Sequence, residues 1–325
     1  MNVLVLTNMW PNPQAPASGT FVHEQVEGLR RRGTHVDVLF VDGPANRLNY
    51  PLGYPRLWRR LSTQHYDLVH AHYVYSGLIA RGQGQLPVVV SFHGAGEMVG
   101  VEGRLCRWLA PRVDGCMVTS PEHYQQLGYS PARVVPCGVD LGLFQPGDRQ
   151  TARQRLGLAL DKQFVLFCGH PRPEKRVPLI EAAVRRLQTE RPAVELIKAI
   201  NRPHAEVPVW MQAADALVLV SDFEGSPVVI KEAMACNLPI VATPAGDIPA
   251  LFGGSPGHFL VRQNEAEIAA ALGWALNHGP TTGREAIARL SLSATVDAVL
   301  RLYQDVLEGH GRRLPRADKG VELSG

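Results

Sequence analysis

The sequence predicts an α/β protein made of two consecutive doubly wound units, each with its own parallel sheet. Three observations predict it. Short apolar runs alternate with helical patterns, as in parallel strands joined by helical crossovers. The alternation lapses over 138–149, where Pro146 and Gly147 stand, and restarts at 164. The chain has 325 residues, and at roughly 100–200 residues per domain that is enough for two separate cores. Two such units on a short linker face one another across a cleft, and doubly wound sheets collect ligands beyond the carboxyl ends of their strands.

In chain order, the run at 3–6 is a buried strand ending in a Pro- and Gly-rich loop over 10–19. A helix follows at 20–32, with Phe21, Val22, Val26 and Leu29 on one face. Gly33 stops it, and 36–41 is the next strand. Strands at 68–71, 88–92, 115–119 and 133–135 complete the first unit, with helices between them. The second opens with a strand at 164–168 and a helix at 177–187. Strands at 194–197, 216–220, 239–242 and 258–261 follow, and helices at 227–236, 265–277 and 295–307 intervene or close the chain. The expected division is 1–147, 148–294, a helical stretch at 295–310, and a polar tail at 311–325 carrying Arg312, Arg313, Arg316 and Lys319. No internal period of 20–50 residues suggests a solenoid.

Composition excludes several classes. The net charge of +3 is too small for a nucleic-acid binder, which concentrates Lys and Arg far more. Five scattered cysteines form no C-x-x-C pair and read as reduced thiols. His70 and His72 are read as side chains on opposite faces of a strand, hence no metal pair. There is no basic leader and no run near 20 apolar residues, so the expectation is a cytoplasmic protein. The segment 47–60 mixes Arg47, Arg56, Arg59 and Arg60 with Tyr50, Tyr54, Leu57 and Trp58. It reads either as a packed surface loop or as a peripheral contact with the anionic inner face of a membrane.

The chemistry concentrates in S-D-F-E-G-S-P-V-V-I-K-E-A-M-A, residues 221–235. It follows the strand at 216–220, so it lies at a strand's carboxyl end. Ser226 suits the N-cap and Pro227 the first helical position. The amides of Val228 and Val229 are then unpaired at the positive end of the helix dipole, a ready seat for a diphosphate. Glu232 comes one turn later, about 5.4 Å along the axis, where a carboxylate can accept from a ribose diol. Glu224, before Gly225 in the preceding loop, can hold a sugar on the other side.

With the trailing E-A-M-A and P-I-V-A-T, this segment resembles the E-x7-E signature of retaining glycosyltransferase family 4, here Glu224 and Glu232. The resemblance implies that Glu224 contacts the donor sugar and Glu232 the ribose. It extends over nearly the whole chain. G-H-P-R-P-E-K-R, residues 169–176, is similar to the family's diphosphate loop, with Gly169 and Lys175 in place. His170 stands where the family has Arg, so either Arg172 or His170 supplies the second cation. P-V-V-V-S-F-H-G, residues 87–94, brings His93 to the cleft, where family members carry a histidine near the reacting centre. The neighbouring G-A-G-E-M-V-G lacks the placement of a dinucleotide loop. Gly19 opens the helix that faces donor and acceptor in the family. V-V-P-C-G-V-D, residues 134–140, is similar to the interdomain segment, with Cys137 replacing Asn.

The resemblance further implies the GT-B arrangement: two Rossmann-like domains, the first on the acceptor side, the second binding the nucleotide sugar, and the final helix crossing back to the first. The implied reaction transfers a sugar from a UDP- or GDP-sugar to a lipid-linked or saccharide acceptor with retention, with no metal or other cofactor required. N-R-P-H-A-E-V-P-V-W-M, residues 201–211, is similar to a subgroup acting in cell-envelope polysaccharide (teichuronic-acid-type) synthesis. The rivals are a nucleotide-sugar epimerase on the same fold and a non-catalytic two-domain sugar-binding module. A module would need no clustered cations at a phosphate-sized site.

Overall fold

The computed structural model describes residues 1–313. Six strands, β1 (Asn2–Thr7), β2 (His35–Phe40), β3 (Leu68–His72), β4 (Val88–Phe92), β5 (Gly115–Val118) and β6 (Arg133–Val134), form a parallel sheet in the order β2-β1-β3-β4-β5-β6. Five more, β7 (Gln163–Cys168), β8 (Val194–Ala199), β9 (Ala216–Leu219), β10 (Ile240–Ala242) and β11 (His258–Leu260), form a second in the order β11-β10-β9-β7-β8. Every residue of β3, β4, β9 and β10 is buried. Parallel strands covered by helices on both faces are buried along their length, and β9 and β10 are continuous apolar runs accordingly.

Alternation along β1 divides the first core. Leu4 and Leu6 pack with Val69, Val90 and Phe92 on one face, while Val3 and Val5 pack with Leu68, Val89 and Met117 on the other. The same period corrects the expectation for β3. Residues two apart share a face, and the rings of His70 and His72 lie 4.3 Å apart.

The final helix, Leu292–Arg313, begins a turn before the predicted 295. Its Val296, Val299, Leu302, Tyr303 and Val306 belong to the apolar layer under the first sheet. A Cβ on Gly28, in the helix Thr20–Arg31, would lie 2.5 Å from Val296 Cγ2, so only glycine permits this approach. The chain thus passes between the units twice, side by side. Val139 N donates to Leu290 O (3.0 Å) and Leu292 N donates to Val139 O (2.8 Å). The polar tail expected from 311 begins within this helix, and from 314 onward it lies outside the described residues.

The segment 47–60 is no loop: Asn49–Thr63 is a helix. Pro51 sits in the first turn, where its missing N–H breaks nothing, and Pro55 is accommodated inside. Leu57 is fully buried and anchors it, and a Cβ on Gly53 would fall 2.7 Å from Ile79 Cδ1.

Candidate active site

Counted locally, the strands run 2-1-3-4-5-6 in the first sheet and 2-1-3-4-5 in the second, so in each the winding reverses between the first and third strands. Such switch points open a crevice at the carboxyl ends. The two crevices face each other around one cavity of about 690 Å³, within the ~300–1,000 Å³ usual for small-molecule sites. Asn8 after β1, Tyr73 after β3 and His93 after β4 line it from the first unit. Gly169 after β7 and Glu224 after β9 line it from the second, with Arg172, Lys175, Val228 and Val229.

On the second side, Gly169 turns the chain out of β7 at φ +142°, which L side chains rarely adopt. A 3-10 turn, Pro173–Lys175, follows. Lys175 Nζ donates to Glu224 Oε1, both side chains nearly buried. Arg172, 60% exposed, pairs with Glu174 (2.9 Å), and His170 also lines the cavity.

The helix Val228–Ala235 has Pro227, not Ser226, at its cap position, and no side chain caps it. The expectation that Ser226 caps this helix is therefore corrected. Its hydroxyl donates to Asp247 Oδ2 (2.5 Å) and accepts from Lys231 Nζ (2.6 Å), charged partners stronger than a backbone amide. The amides of Val228 and Val229 consequently make no hydrogen bond among the described residues, and both residues line the cavity.

Glu232 is buried and does not line the cavity. Its Oε1 bonds His204 Nε2 (2.7 Å), and His204 Nδ1 lies 3.3 Å from Glu24 Oε1 on the helix Thr20–Arg31. Gly19, the cap residue of that helix, is also outside the lining. A Cβ there would meet the Met9 carbonyl at 2.5 Å, so Gly19 lets the preceding loop pack.

On the first side, His93 Nε2 meets His72 Nδ1 at 2.8 Å and its Nδ1 meets Cys137 Sγ at 3.7 Å. Burial, then the neighbouring His72 and His123, hold His93 well below the usual imidazole range, so it is neutral at pH 7. Burial also pushes the Cys137 thiol up to about 11. The units touch where Gly225 meets this side. A Cβ on Gly225 would lie 2.6 Å from His123 Cε1 and 3.2 Å from the His93 carbonyl oxygen.

Three residues escaped sequence reasoning. Glu97, buried beside the cavity, accepts from the amides of Val74, His93 (2.9 Å) and Gly94 (3.4 Å), fastening the end of β4 to the turn after β3. Burial pushes its carboxyl up to about 7 against those hydrogen bonds. Between the fastened points Tyr73 sits at φ 70°, ψ 157°, a region nearly restricted to glycine and costing about 1–3 kcal/mol. Lys231 is fully buried and donates to the Cys137 carbonyl (2.8 Å). Burial lowers its ammonium and raises the Asp247 carboxyl. The signal available was one Lys inside the apolar run V-V-I-K-E-A-M-A. His204 is the third, and only a long-range contact gives it meaning.

Residues 2–143 match the model of Glycosyltransferase Family 4, and residues 153–278 that of Glycosyl transferases group 1. A D-inositol 3-phosphate glycosyltransferase of Segniliparus rotundus is 27% identical, over 95% of this chain and 81% of its own. TuaC of Bacillus subtilis, named for teichuronic acid biosynthesis, is 24% identical over 83% of this chain and 87% of its own. Among solved structures, sucrose-phosphate synthase of Thermosynechococcus elongatus superposes with a TM-score of 0.77 at 21% identity, over 95% of this chain and 100% of that one. Anabaena HepE in complex with UDP-glucose gives 0.65 at 19% identity, over 96% and 100%. The two family matches lie on the two sheets whose strand ends build the cavity, and the chain belongs to glycosyltransferase family 4, on the GT-B fold.

Proposed function

We propose that this glycosyltransferase moves a sugar from a UDP- or GDP-sugar to a lipid-linked or saccharide acceptor with retention of anomeric configuration. The observation that carries it is the unpaired pair of amides at Val228 and Val229, opening into the cavity with Lys175 and Arg172 among its other lining residues. Backbone N–H groups at a helix start and nearby cations are what a diphosphate needs. HepE, a fold neighbour, has been solved with UDP-glucose, and the named relatives act on inositol phosphate or in teichuronic acid synthesis.

In this reading the β-phosphate rests on the two amides. Lys175, with three N–H donors, holds Glu224 and reaches the phosphate together. Charge that grows on the departing diphosphate is met by groups already in place, which is preorganised electrostatic catalysis. Glu224 orients the sugar. The acceptor enters on the face the diphosphate leaves, and the leaving oxygen takes the acceptor's proton. Neutral His93, engaged at both nitrogens, shapes the wall around the reacting sugar and transfers no proton.

A lipid-linked acceptor suits the helix Asn49–Thr63. It exposes Leu52 (56%) and Trp58 (43%) beside Arg56 and Arg59, a surface fit for an anionic membrane. Sedimentation with vesicles that contain anionic lipid, but not with neutral ones, is the expected result.

The deciding experiment is a transfer assay with UDP- and GDP-sugars, with NMR of the product's anomeric centre. Retention, and turnover lost in both Lys175→Ala and Glu224→Ala while the melting temperature holds, supports the proposal. Inversion, or near-normal turnover in both variants, overturns it.

A further inference from the structure

We infer that His204 is a positioning residue for the donor nucleotide: it holds the Glu232 carboxylate in place to receive the ribose hydroxyls and ties that carboxylate to Glu24 of the opposite unit. The inference rests on the reading of Glu232 as the group that grips the ribose.

The geometry is a bridge with one imidazole at its centre. His204 begins the 3-10 turn His204–Glu206 after β8. Its Nε2 bonds Glu232 Oε1 on the helix Val228–Ala235, and its Nδ1 faces Glu24 Oε1 on the helix Thr20–Arg31. The Phe144 ring, in the linker between units, packs 5.2 Å away. His204 is therefore held from both units and from the linker. A second contact braces its loop: Asn201, in the left-handed region at φ 50°, donates from Nδ2 to the Gln14 carbonyl (3.2 Å) in the first unit.

Charge explains why a histidine serves here. Both ring nitrogens face carboxylates, so the doubly protonated ring donates from Nε2 to Glu232 and pairs by charge with Glu24. Burial lowers the pKa of His204, but the hydrogen bond and charge of Glu232, then Glu24 and Asp140, overcome it and raise it to about 9. Burial pushes Glu24 up to about 7, with His204 and Arg31 opposing and Glu232 and Asp140 adding to the rise. Without the imidazolium, two nearly buried carboxylates would repel each other across the cleft. With it, Oε1 of Glu232 is taken, while Oε2 makes no hydrogen bond among the described residues. Along the helix axis, Glu232 stands about one turn, roughly 5.4 Å, beyond the amides of Val228 and Val229. Phosphate and ribose can therefore be gripped together, and the ribose grip is linked to the alignment of the two units.

The test titrates the full-length protein with UDP, GDP and inorganic pyrophosphate by calorimetry. In His204→Ala, the nucleotide that binds wild type is expected to bind about tenfold more weakly, as for one lost charge-assisted hydrogen bond. Pyrophosphate should bind as in wild type, because it needs only the phosphate seat. His204→Gln, which keeps one donor for Glu232, should recover part of the loss and stands in if the alanine variant does not fold. Glu24→Gln added to His204→Ala should cost little more, since both break the same bridge. Unchanged or tighter nucleotide binding in the two His204 variants, or an equal loss of pyrophosphate, overturns the inference. Glu232→Gln separates the two readings. If it weakens nucleotide and the His204 variants do not, only the role of His204 fails; if it has no effect, the ribose reading of Glu232 fails and the inference with it.

Discussion

The two halves of the cleft share a winding order and differ in their chemistry. Around the cavity, the first unit presents buried, hydrogen-bonded groups. His70, His72 and His93 are all held below the imidazole range, chiefly by burial, and Glu97 is spent on backbone amides. The second presents ion pairs: Lys175 with Glu224, Arg172 with Glu174, and Arg176 with Asp222. One topology therefore serves two tasks. The switch point decides where a ligand lies, and the loops beyond it decide whether it meets charge or shape.

That contrast can be broken by substitution. The largest effect is expected where charge is removed from the second half: Lys175→Ala should lower kcat/KM by about 10²–10³-fold, as for loss of one preorganised stabilising group, with little change in melting temperature. Substituting the seam comes next. Gly225→Ala drives a Cβ into His123 and the His93 carbonyl, and displacing the halves by about 1 Å should cost about 10²-fold in turnover, read by steady-state kinetics.

In the first half the loss should be one of stability. Glu97→Gln replaces an acceptor of three amides with a group that has one acceptor and an NH₂, so about 1–3 kcal/mol is expected from denaturant midpoints. A kinetic collapse with unchanged stability would mean that the neutral half also does charge chemistry.

The smallest effect is one of pH, and its sign follows from raised values. His204 stands at about 9 against an ordinary 6.5, so its contribution is full below 6.5 and lost as pH rises through about 9. Glu24 and Glu97 stand at about 7 against 4.5, so the folded state binds the extra protons and stability falls between those values as well. The melting temperature should therefore decline across both windows. His204→Gln should flatten the upper one and Glu97→Gln the lower; a profile unmoved by either variant would detach these groups from stability.

Much of this was legible in the sequence because it is local. Strands such as Ala216–Leu219 announce themselves by unbroken apolar runs. Glu224, Lys175, Arg172 and His93 follow strand ends, and the structure gathers all four on one cavity. What stayed hidden depends on partners far along the chain. Ser226 looks like a cap until Lys231 and Asp247 are seen to claim its hydroxyl. Glu232 is held by a histidine 28 positions away, a partner that local spacing gives no sign of. The helix Asn49–Thr63 was disguised by two prolines and a glycine, residues that local propensity reads as breakers but that a first turn and a close contact with Ile79 accommodate. Period two alone should have put His70 and His72 together.

The placement of the helix Leu292–Arg313 bears on how the protein is born. The first strands leave the ribosome early, yet the apolar layer beneath them is finished by Val296, Val299, Leu302 and Tyr303. Vectorial synthesis completes the second unit before the first can close its core. During translation the half that emerges first is the half left open, and it is there that a nascent-chain chaperone would find its hydrophobic target.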